Sequence, residues 1–464
     1  MGFILSVIYF VTYYLTPTLL FGALAQYRIE LILAVLILLV SAPKLMRTFA
    51  FKTPQALALA GLALAVFLSI LFGMHWPGGA VLQFIEFIPS LYAYLLICLH
   101  CNSKRKLQFV VLMMLFVCLF VIGNGLNDLR HGISSNPERS EETDSFDFTT
   151  WNIDHPYLLP MQNEMGEWFY RLRGLGEIND PNDFGQVLVC TIPLLFIFWR
   201  PKKRMRNLAF VLVPAAVLLT GIFLTHSRGA LLALLAVVVV ASRRRIGTVP
   251  AAILAGALFA GAMALHFTGG RAISVDAGAD RTELWSEGLQ MLKSHPLFGV
   301  GMGHFMDYAI NTAHNSTVVC AAELGLFGFY FWSLFLFSTA RSALVIAFPG
   351  KEEEANRGAT IDDDATFSEW KGPALDMAEI HHLGYCLLLS LTGFLVAGWF
   401  LSRAFVMTFF LLGGLIEVVY EAARRQGMVR PRLRMSRVLF HSLLLMIGLL
   451  TTVYLLLRVF NLMH

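Results

Sequence analysis

Long apolar runs alternate with short polar connections along almost the whole chain. A helix needs about 20 mainly apolar residues to cross the hydrocarbon core of a bilayer. Runs of that order predict spans near 3–24, 29–43, 54–73, 81–99, 107–125, 185–199, 207–224, 229–241, 248–266, 314–338, 382–401, 404–420 and 438–458. Several are short, which sets the expected number at 12 or 13. The fold class that follows is an all-α polytopic membrane protein. The longer connections divide it into an N-terminal transmembrane bundle over 1–125, a loop over 126–184, a central membrane region over 185–338 that contains a second loop over 267–313, a linker over 339–381, and C-terminal helices over 382–464.

Composition strengthens this pattern. Of 464 residues, 57% are hydrophobic and only 14% charged, against about 25% charged in soluble domains. The basic residues are unevenly spread. Clusters such as "KRK" at 104–106, "RPKKRMR" at 200–206 and "RRR" at 243–245 hold, with the other connections on the same side, 24 of the 35 Lys and Arg. Lys and Arg mark cytoplasmic loops, so strict alternation puts the N-terminus and all six of these connections in the cytoplasm. The net charge of +4 is then a matter of topology, and no nucleic-acid partner is expected.

Smaller signals change little. "ALA" at 23–25 resembles a cleavage site, but no basic residue precedes the first apolar run, so an uncleaved span is expected. "MGFILS" fits a myristoylation pattern but opens a membrane span, where a lipid would add little. The six cysteines lie in or beside spans and the two long outer loops have none, so no disulfide framework is expected. Cys98, His100 and Cys101 form a lone C-x-x-C without the second ligand pair of a zinc site. "KEEE" at 351–354 and "DDD" at 362–364 read as a solvated acidic linker on the inner side.

The outer loops carry more pattern. Residues 126–184 run from a polar half into the aromatic "WNIDHPY" and "EWFYRLRG", where Trp151, Tyr157, Trp168 and Tyr170 are candidates for stacking on sugars or anchoring at the interface. In 267–313, "DRTELWSEGLQMLKSHP" predicts a short amphipathic helix. Asp280 with Glu283 would cap it, Leu284, Trp285, Leu289 and Leu292 would share an apolar face, and Pro296 would follow its end. Such a helix is expected to lie in the membrane interface. The glycines of "FGVGMGHF" mark a tight turn and not a dinucleotide loop, because no strand precedes them.

Five polar residues on or near the outer side stand out. Ser227 is positioned to cap the span that follows, putting Arg228 in its first turn, where the helix dipole favours anions over cations. Either the arginine snorkels toward headgroups, or it and the free N–H groups hold an anion. Arg281 repeats this anomaly at the start of the amphipathic helix. His314 and Asn315 open the next span, either as a plain capping pair or as part of a site. Glu323 lies deeper, where a carboxylate either bonds a neighbouring helix or works. Two guanidinium groups suit a diphosphate, and an imidazole suits a general base.

These residues resemble the O-antigen ligase and O-antigen polymerase superfamily, bacterial membrane glycosyltransferases that act on polyprenyl-diphosphate-linked glycans. The superfamily pattern runs His, then Asn, Ser or Gln, nine residues, Gly, two residues and Gly, Thr or Tyr. It reads here as His314, Asn315, Gly325 and Gly328. "HSRGALLALL" around Arg228 is similar to the family's Ser-Arg-Gly element, and "RTELWSEGLQMLKSHPLFGVGMGHF" to its Arg…Trp…His-Pro…Gly-x-Gly stretch, with Arg281 in the Arg position. "RLRGLGEINDPNDFG" at 171–185 resembles a segment that many members carry before a span.

The resemblance implies a GT-C-like membrane fold whose two periplasmic loops carry short helices, with 185–338 as the catalytic region in the bacterial inner membrane and the active face periplasmic. It implies that His314 deprotonates or orients the acceptor hydroxyl, that Arg228 and Arg281 hold the donor diphosphate, and that transfer inverts the anomeric carbon without a metal or cofactor. Asn315, Arg171, Arg173, Asn182 and Glu323 are the candidate substrate-binding residues. The implied partners are a polyprenyl-diphosphate-linked glycan donor, a glycan or lipid A core acceptor, and membrane lipid. The rival class is a polytopic transporter or glycolipid flippase, which would show internal repeats or mid-membrane charges. No clear repeat is present.

Overall fold

A computed structural model of the chain describes residues 1–27, 29–48, 53–130, 155–163, 165–269, 276–349 and 370–463. The acidic runs at 351–354 and 362–364, and Trp151, lie outside them. Each predicted span corresponds to a helix or to a group of consecutive short helices. In chain order the helices are α1 (Gly2–Leu15), α2 (Ile29–Thr48), α3 (Pro54–Leu68), α4 (Pro77–His100), α5 (Lys104–Arg130), α6 (Pro181–Leu195), α7 (Val213–Thr225), α8 (Arg228–Ile246), α9 (Thr248–Ala264), α10 (Asp276–Ser294), α11 (Ser316–Ala347), α12 (Met377–Gly398), α13 (Met407–Arg425) and α14 (Met435–Met463). Short helical pieces follow α1, and single π turns extend α3 and precede α7. Among the described residues, eight helical stretches are long and apolar enough to cross a membrane. The protein is an all-α multi-pass membrane protein.

Two compact units divide the chain. The first holds Met1–Val40, Arg105–Ala272 and Thr392–Ala397, and the second holds Ser41–Lys104, Ile273–Leu391 and Gly398–His464.

In the first unit the described part of the 126–184 loop folds as an antiparallel hairpin, β1 (Leu158–Gln162) with β2 (Trp168–Leu172), followed by a 3-10 turn at Gly176–Ile178. The sequence reading did not anticipate the hairpin. Its physical basis is aromatic and aliphatic strand residues on both arms around an Asn163 turn, whose Oδ1 accepts from the backbone N of Met165 and Glu167 at 3.0 and 2.9 Å. Asp180 then caps α6 by accepting from Asn182 N at 2.7 Å, with Pro181 at the first helical position, where its missing N–H is no loss.

The second unit is centred on aromatic packing. Phe335 lies 5.0 Å from both Phe409 and Phe410 and 5.6 Å from Tyr94 (ring centroids). Gly413 makes room for it, since a Cβ there would come within 2.5 Å of the Phe335 ring. Small residues at helix crossings are how membrane helices approach closely. The charges on α13 are paired. Arg432 bonds Glu417 and reaches Glu421 at 3.0 Å, and Gln55 donates to Glu417 at 2.8 Å. This answers the cost of a carboxylate at that position.

Candidate functional site

Arg228 belongs to the first unit, and Arg281 and His314 to the second. Each is therefore built up within its own unit.

In the first unit α7 ends at Thr225, and His226 takes a left-handed conformation (φ 49°) as its C-cap. Ser227 then caps α8 as the sequence predicts, its Oγ accepting from Ala230 N at 3.3 Å. Arg228 is the first residue of α8 and is half-buried. The segment 171–185 supports this turn from two sides. Arg171 is buried and donates from Nε to the Thr225 carbonyl at 2.9 Å and from Nη2 to Asn182 Oδ1 at 3.0 Å. Gly185 lies against the turn from α6. A Cβ there would come within 2.8 Å of Ala230 Cβ and 3.4 Å of Ser227 Cβ.

Arg171 and Asn182, two candidates for substrate contact, are thus bonded to each other, and Arg171 is bonded as well to the turn that presents Arg228. Arg173 donates to the Pro156 carbonyl at 3.1 Å. Burial lowers its guanidinium from the usual arginine range, and the nearby Asp180 offsets part of that.

One expectation is corrected in this unit. Tyr157, taken as an exposed sugar-stacking candidate, is buried against Phe120 with ring centroids 6.3 Å apart. Burial, with the Asp128 charge, pushes its phenol up to about 12. Trp168 and Tyr170 are half-buried. His226 was passed over in the sequence. Its Nδ1 bonds the Phe267 carbonyl at 2.6 Å, and its ring meets Phe169 edge-on at 5.5 Å.

In the second unit His314 occupies the left-handed region (φ 48°) and is half-buried. A non-glycine residue held there stores roughly 1–3 kcal/mol, so its surroundings must fix it. Asn315 follows in extended conformation as the cap of α11, its Oδ1 accepting from Thr317 N at 2.9 Å and Val318 N at 3.2 Å. The capping reading of Asn315 is therefore right, and it explains the amide next to the histidine. On the other side, the Trp285 indole donates to the Ala313 carbonyl at 3.0 Å.

Trp285 belongs to α10, which differs from expectation in its start and in its buried face. It already includes Asp276, one turn before Asp280. "DAGAD" contains no proline to stop it. Arg281 consequently lies in the second turn and not the first, so the dipole argument at its position fails. The buried face is Leu284, Trp285, Gly288 and Met291, with Leu289 and Leu292 only half-buried. The cause is Gly288, where a Cβ would come within 2.4 Å of Val318, so α10 packs through its smallest residue. The helix therefore docks on α11 within a core that includes Trp285, Met291, Val318, Val319 and Leu457. Arg281 sits one turn before Trp285 on the same stripe of α10, and is half-buried.

The recurring glycines have a backbone explanation. α11 is broken at Gly325 (φ 63°, ψ −171°). The groups freed near the break are taken up by the 296–301 segment. Leu326 N donates to Pro296 O at 2.8 Å, Phe327 N to Leu297 O at 3.1 Å, Val300 N to Ala322 O at 3.0 Å and Gly301 N to Glu323 O at 3.0 Å. Irregular backbone at membrane depth needs such partners. A Cβ at Gly325 would come within 2.5 Å of Leu297 backbone, and one at Gly299 within 2.4 Å of Glu323 backbone. Glu323 is buried, and its Oε1 lies 3.4 Å from the Phe305 amide. The side chain thereby holds the far end of the same segment.

A second segment was missed. Residues 399–405, between α12 and α13, wrap the start of α11. Asn315 Nδ2 donates to Trp399 O at 3.2 Å and Ser316 Oγ to Leu401 O at 2.7 Å. Trp399 also meets Trp285 edge-on at 6.0 Å. Hydropathy reads this stretch only as a short link between spans, and its sole sequence signal is an arginine on the side expected to face outward.

Two of the four sequence elements thus meet in each unit: 171–185 with the Ser227-Arg228 turn in the first, and the α10 stretch with the His314–Gly328 element in the second. Residues 213–333 match the family described as O-antigen ligase, which supports the resemblance to the O-antigen ligase and polymerase superfamily. Arg228, Arg281, His314, Asn315 and Glu323 all fall inside that stretch, and Arg171, Arg173 and Asn182 precede it. No curated protein matches the chain. The family supports ligase- or polymerase-type glycan transfer in general terms.

Proposed function

We propose that the protein moves a glycan from a polyprenyl-diphosphate-linked donor to an acceptor at the periplasmic face of the bacterial inner membrane, either as an O-antigen ligase acting on a lipid A core or as a polymerase of surface polysaccharide. His314 takes the proton of the acceptor hydroxyl. The freed oxygen attacks the anomeric carbon opposite the leaving group, the bond to the phosphate oxygen breaks, and the electron pair leaves with the polyprenyl diphosphate. The anomeric carbon is inverted. Arg228 and Arg281 hold the diphosphate and offset the charge it gains, so the reaction runs without a metal ion. Asn315 holds His314 in place through the helix cap. Arg171 and Asn182 act behind Arg228, Arg173 braces the same hairpin, and Glu323 acts behind the Gly299–Phe305 segment.

The observation that carries this reading is the O-antigen ligase match over 213–333, which encloses both arginines and the histidine. The geometry supports it in one further respect: the strained His314 backbone is fixed from both sides by Asn315 and Trp285. The test is His314→Ala expressed at the parent level. Removing a general base lowers rate by about 10²- to 10⁴-fold, so surface glycan should disappear and lipid-linked precursor accumulate. Unchanged surface glycan would sink the reading. Purified protein given polyprenyl-diphosphate glycan with either lipid A core or a second lipid-linked glycan separates ligase from polymerase.

A further inference from the structure

We infer that Arg403 is a further diphosphate-binding residue of the His314 site. The inference rests on the transferase reading above. It begins from a charge in an unexpected place: strict alternation puts the link between α12 and α13 on the outer side, where Lys and Arg are scarce by the topology rule. Two of the basic residues on that side, Arg281 and Arg403, belong to the second unit and flank the His314 turn along different segments.

The fold explains how Arg403 gets there. Its backbone N donates to Ser316 Oγ at 3.0 Å, and Ser316 is two residues beyond His314. Thr312, two residues before His314, bonds the Ser402 hydroxyl. The two attachment points therefore bracket His314, and two residues of chain span at most about 7 Å. The same segment is held further by Trp332 Nε1, which donates to Ala404 O at 3.0 Å, and by Ser90, which bonds the Phe405 carbonyl. A segment fixed at Trp399, Leu401, Ser402, Arg403, Ala404 and Phe405 is a rigid carrier, the kind of support that a charged ligand site needs.

The chemistry needs such a group. As the anomeric carbon–oxygen bond breaks, the leaving diphosphate gains a negative charge, and a guanidinium fork meets phosphate oxygens in two places. Within the second unit, Arg281 on α10 and Arg403 on the 399–405 segment would supply two such forks, carried by segments bonded beside the His314 turn.

The experiment uses full-length protein in phosphatidylcholine nanodiscs, with farnesyl diphosphate as the binding probe and transfer from a polyprenyl-diphosphate glycan as the activity. Arg403→Gln should weaken farnesyl diphosphate binding and raise the donor KM by roughly 10- to 100-fold, the scale of a lost bond to a charged group. Arg403→Lys, which keeps the charge without the fork, should fall between. The exposed Arg458, bonded to Tyr454 at 2.9 Å, serves as control, and Arg458→Gln should match the parent. If the parent transfers glycan while Arg403→Gln binds the probe and transfers as the parent does, Arg403 has no diphosphate role. Equal probe binding with a melting temperature lowered only in nanodiscs containing phosphatidylglycerol would make it a headgroup anchor, which also overturns the inference. A parent that neither binds the probe nor transfers overturns the transferase reading itself.

Discussion

The two units solve one problem differently. Each presents a residue of the candidate chemistry at the start of a membrane helix: Arg228 on α8, and His314 just ahead of α11. In the first unit the support is a side chain, since Arg171 grips the Thr225 carbonyl and Asn182 from a hairpin strand. In the second unit the 296–301 segment fills the break at Gly325 backbone to backbone, while the 399–405 segment is held to the cap by the Asn315 and Ser316 side chains. A backbone-built support tolerates no added carbon at its contact points. A side-chain-built support should lose its function in smaller steps.

Glycine replacements test this contrast most severely. Gly325→Ala would meet both a left-handed φ and Leu297 backbone at 2.5 Å, so a loss of roughly 3–5 kcal/mol and little folded protein are expected. Gly185→Ala meets a methyl at 2.8 Å in ordinary helix and should lose roughly 1–3 kcal/mol. Thermal unfolding monitored by size-exclusion chromatography checks both. Equal losses would remove the distinction between the units.

The side-chain brace comes next. Arg171→Gln should destabilise by about 2 kcal/mol, the scale of hydrogen bonds from a charged group, and lower transfer by displacing the Arg228 turn. Asn182→Ala, which removes one of the same bonds, should show a smaller loss, and the pair should be less than additive because the residues bond each other. Full additivity in a double-mutant cycle would mean that they act separately.

In the second unit, Trp285→Phe keeps the ring packing and removes the donor to Ala313 O. It should lose about 1 kcal/mol and lower kcat for transfer, as the His314 backbone relaxes. A rate equal to the parent's would show that this bond does not position His314.

The smallest effect is a titration in the first unit. The Tyr157 phenol is raised to about 12, from about 10 for a free tyrosine. A raised folded value means that its contribution is fully present below pH 10 and is lost as pH climbs through 12. An ultraviolet phenolate titration should therefore lose its component near pH 12 in Tyr157→Phe. A component centred near 10 would mean that the residue is open to solvent.

Much of this was legible in the chain. A helix or a group of short helices falls at each apolar run, and local capping chemistry placed Ser227 and Asn315, because a cap is settled within three residues of itself. The same locality misplaced what depends on distant partners. The start of α10 and its buried face went wrong because Gly288 and Val318 decide the packing, and they are far apart in sequence. Tyr157 looked like a surface aromatic because nothing nearby in the chain reveals Phe120 above it.

By itself, then, the sequence determined the membrane class, the helices and the residues with candidate chemistry, since hydropathy and capping are properties of a single segment. Only the tertiary structure decided what holds those residues. It joined Arg171 to Thr225, set the 296–301 segment into the gap at Gly325, and brought Arg403 to the His314 turn. Each of these is a hydrogen bond or a van der Waals limit between residues separated by tens of positions. No periodicity along the chain encodes such a pairing.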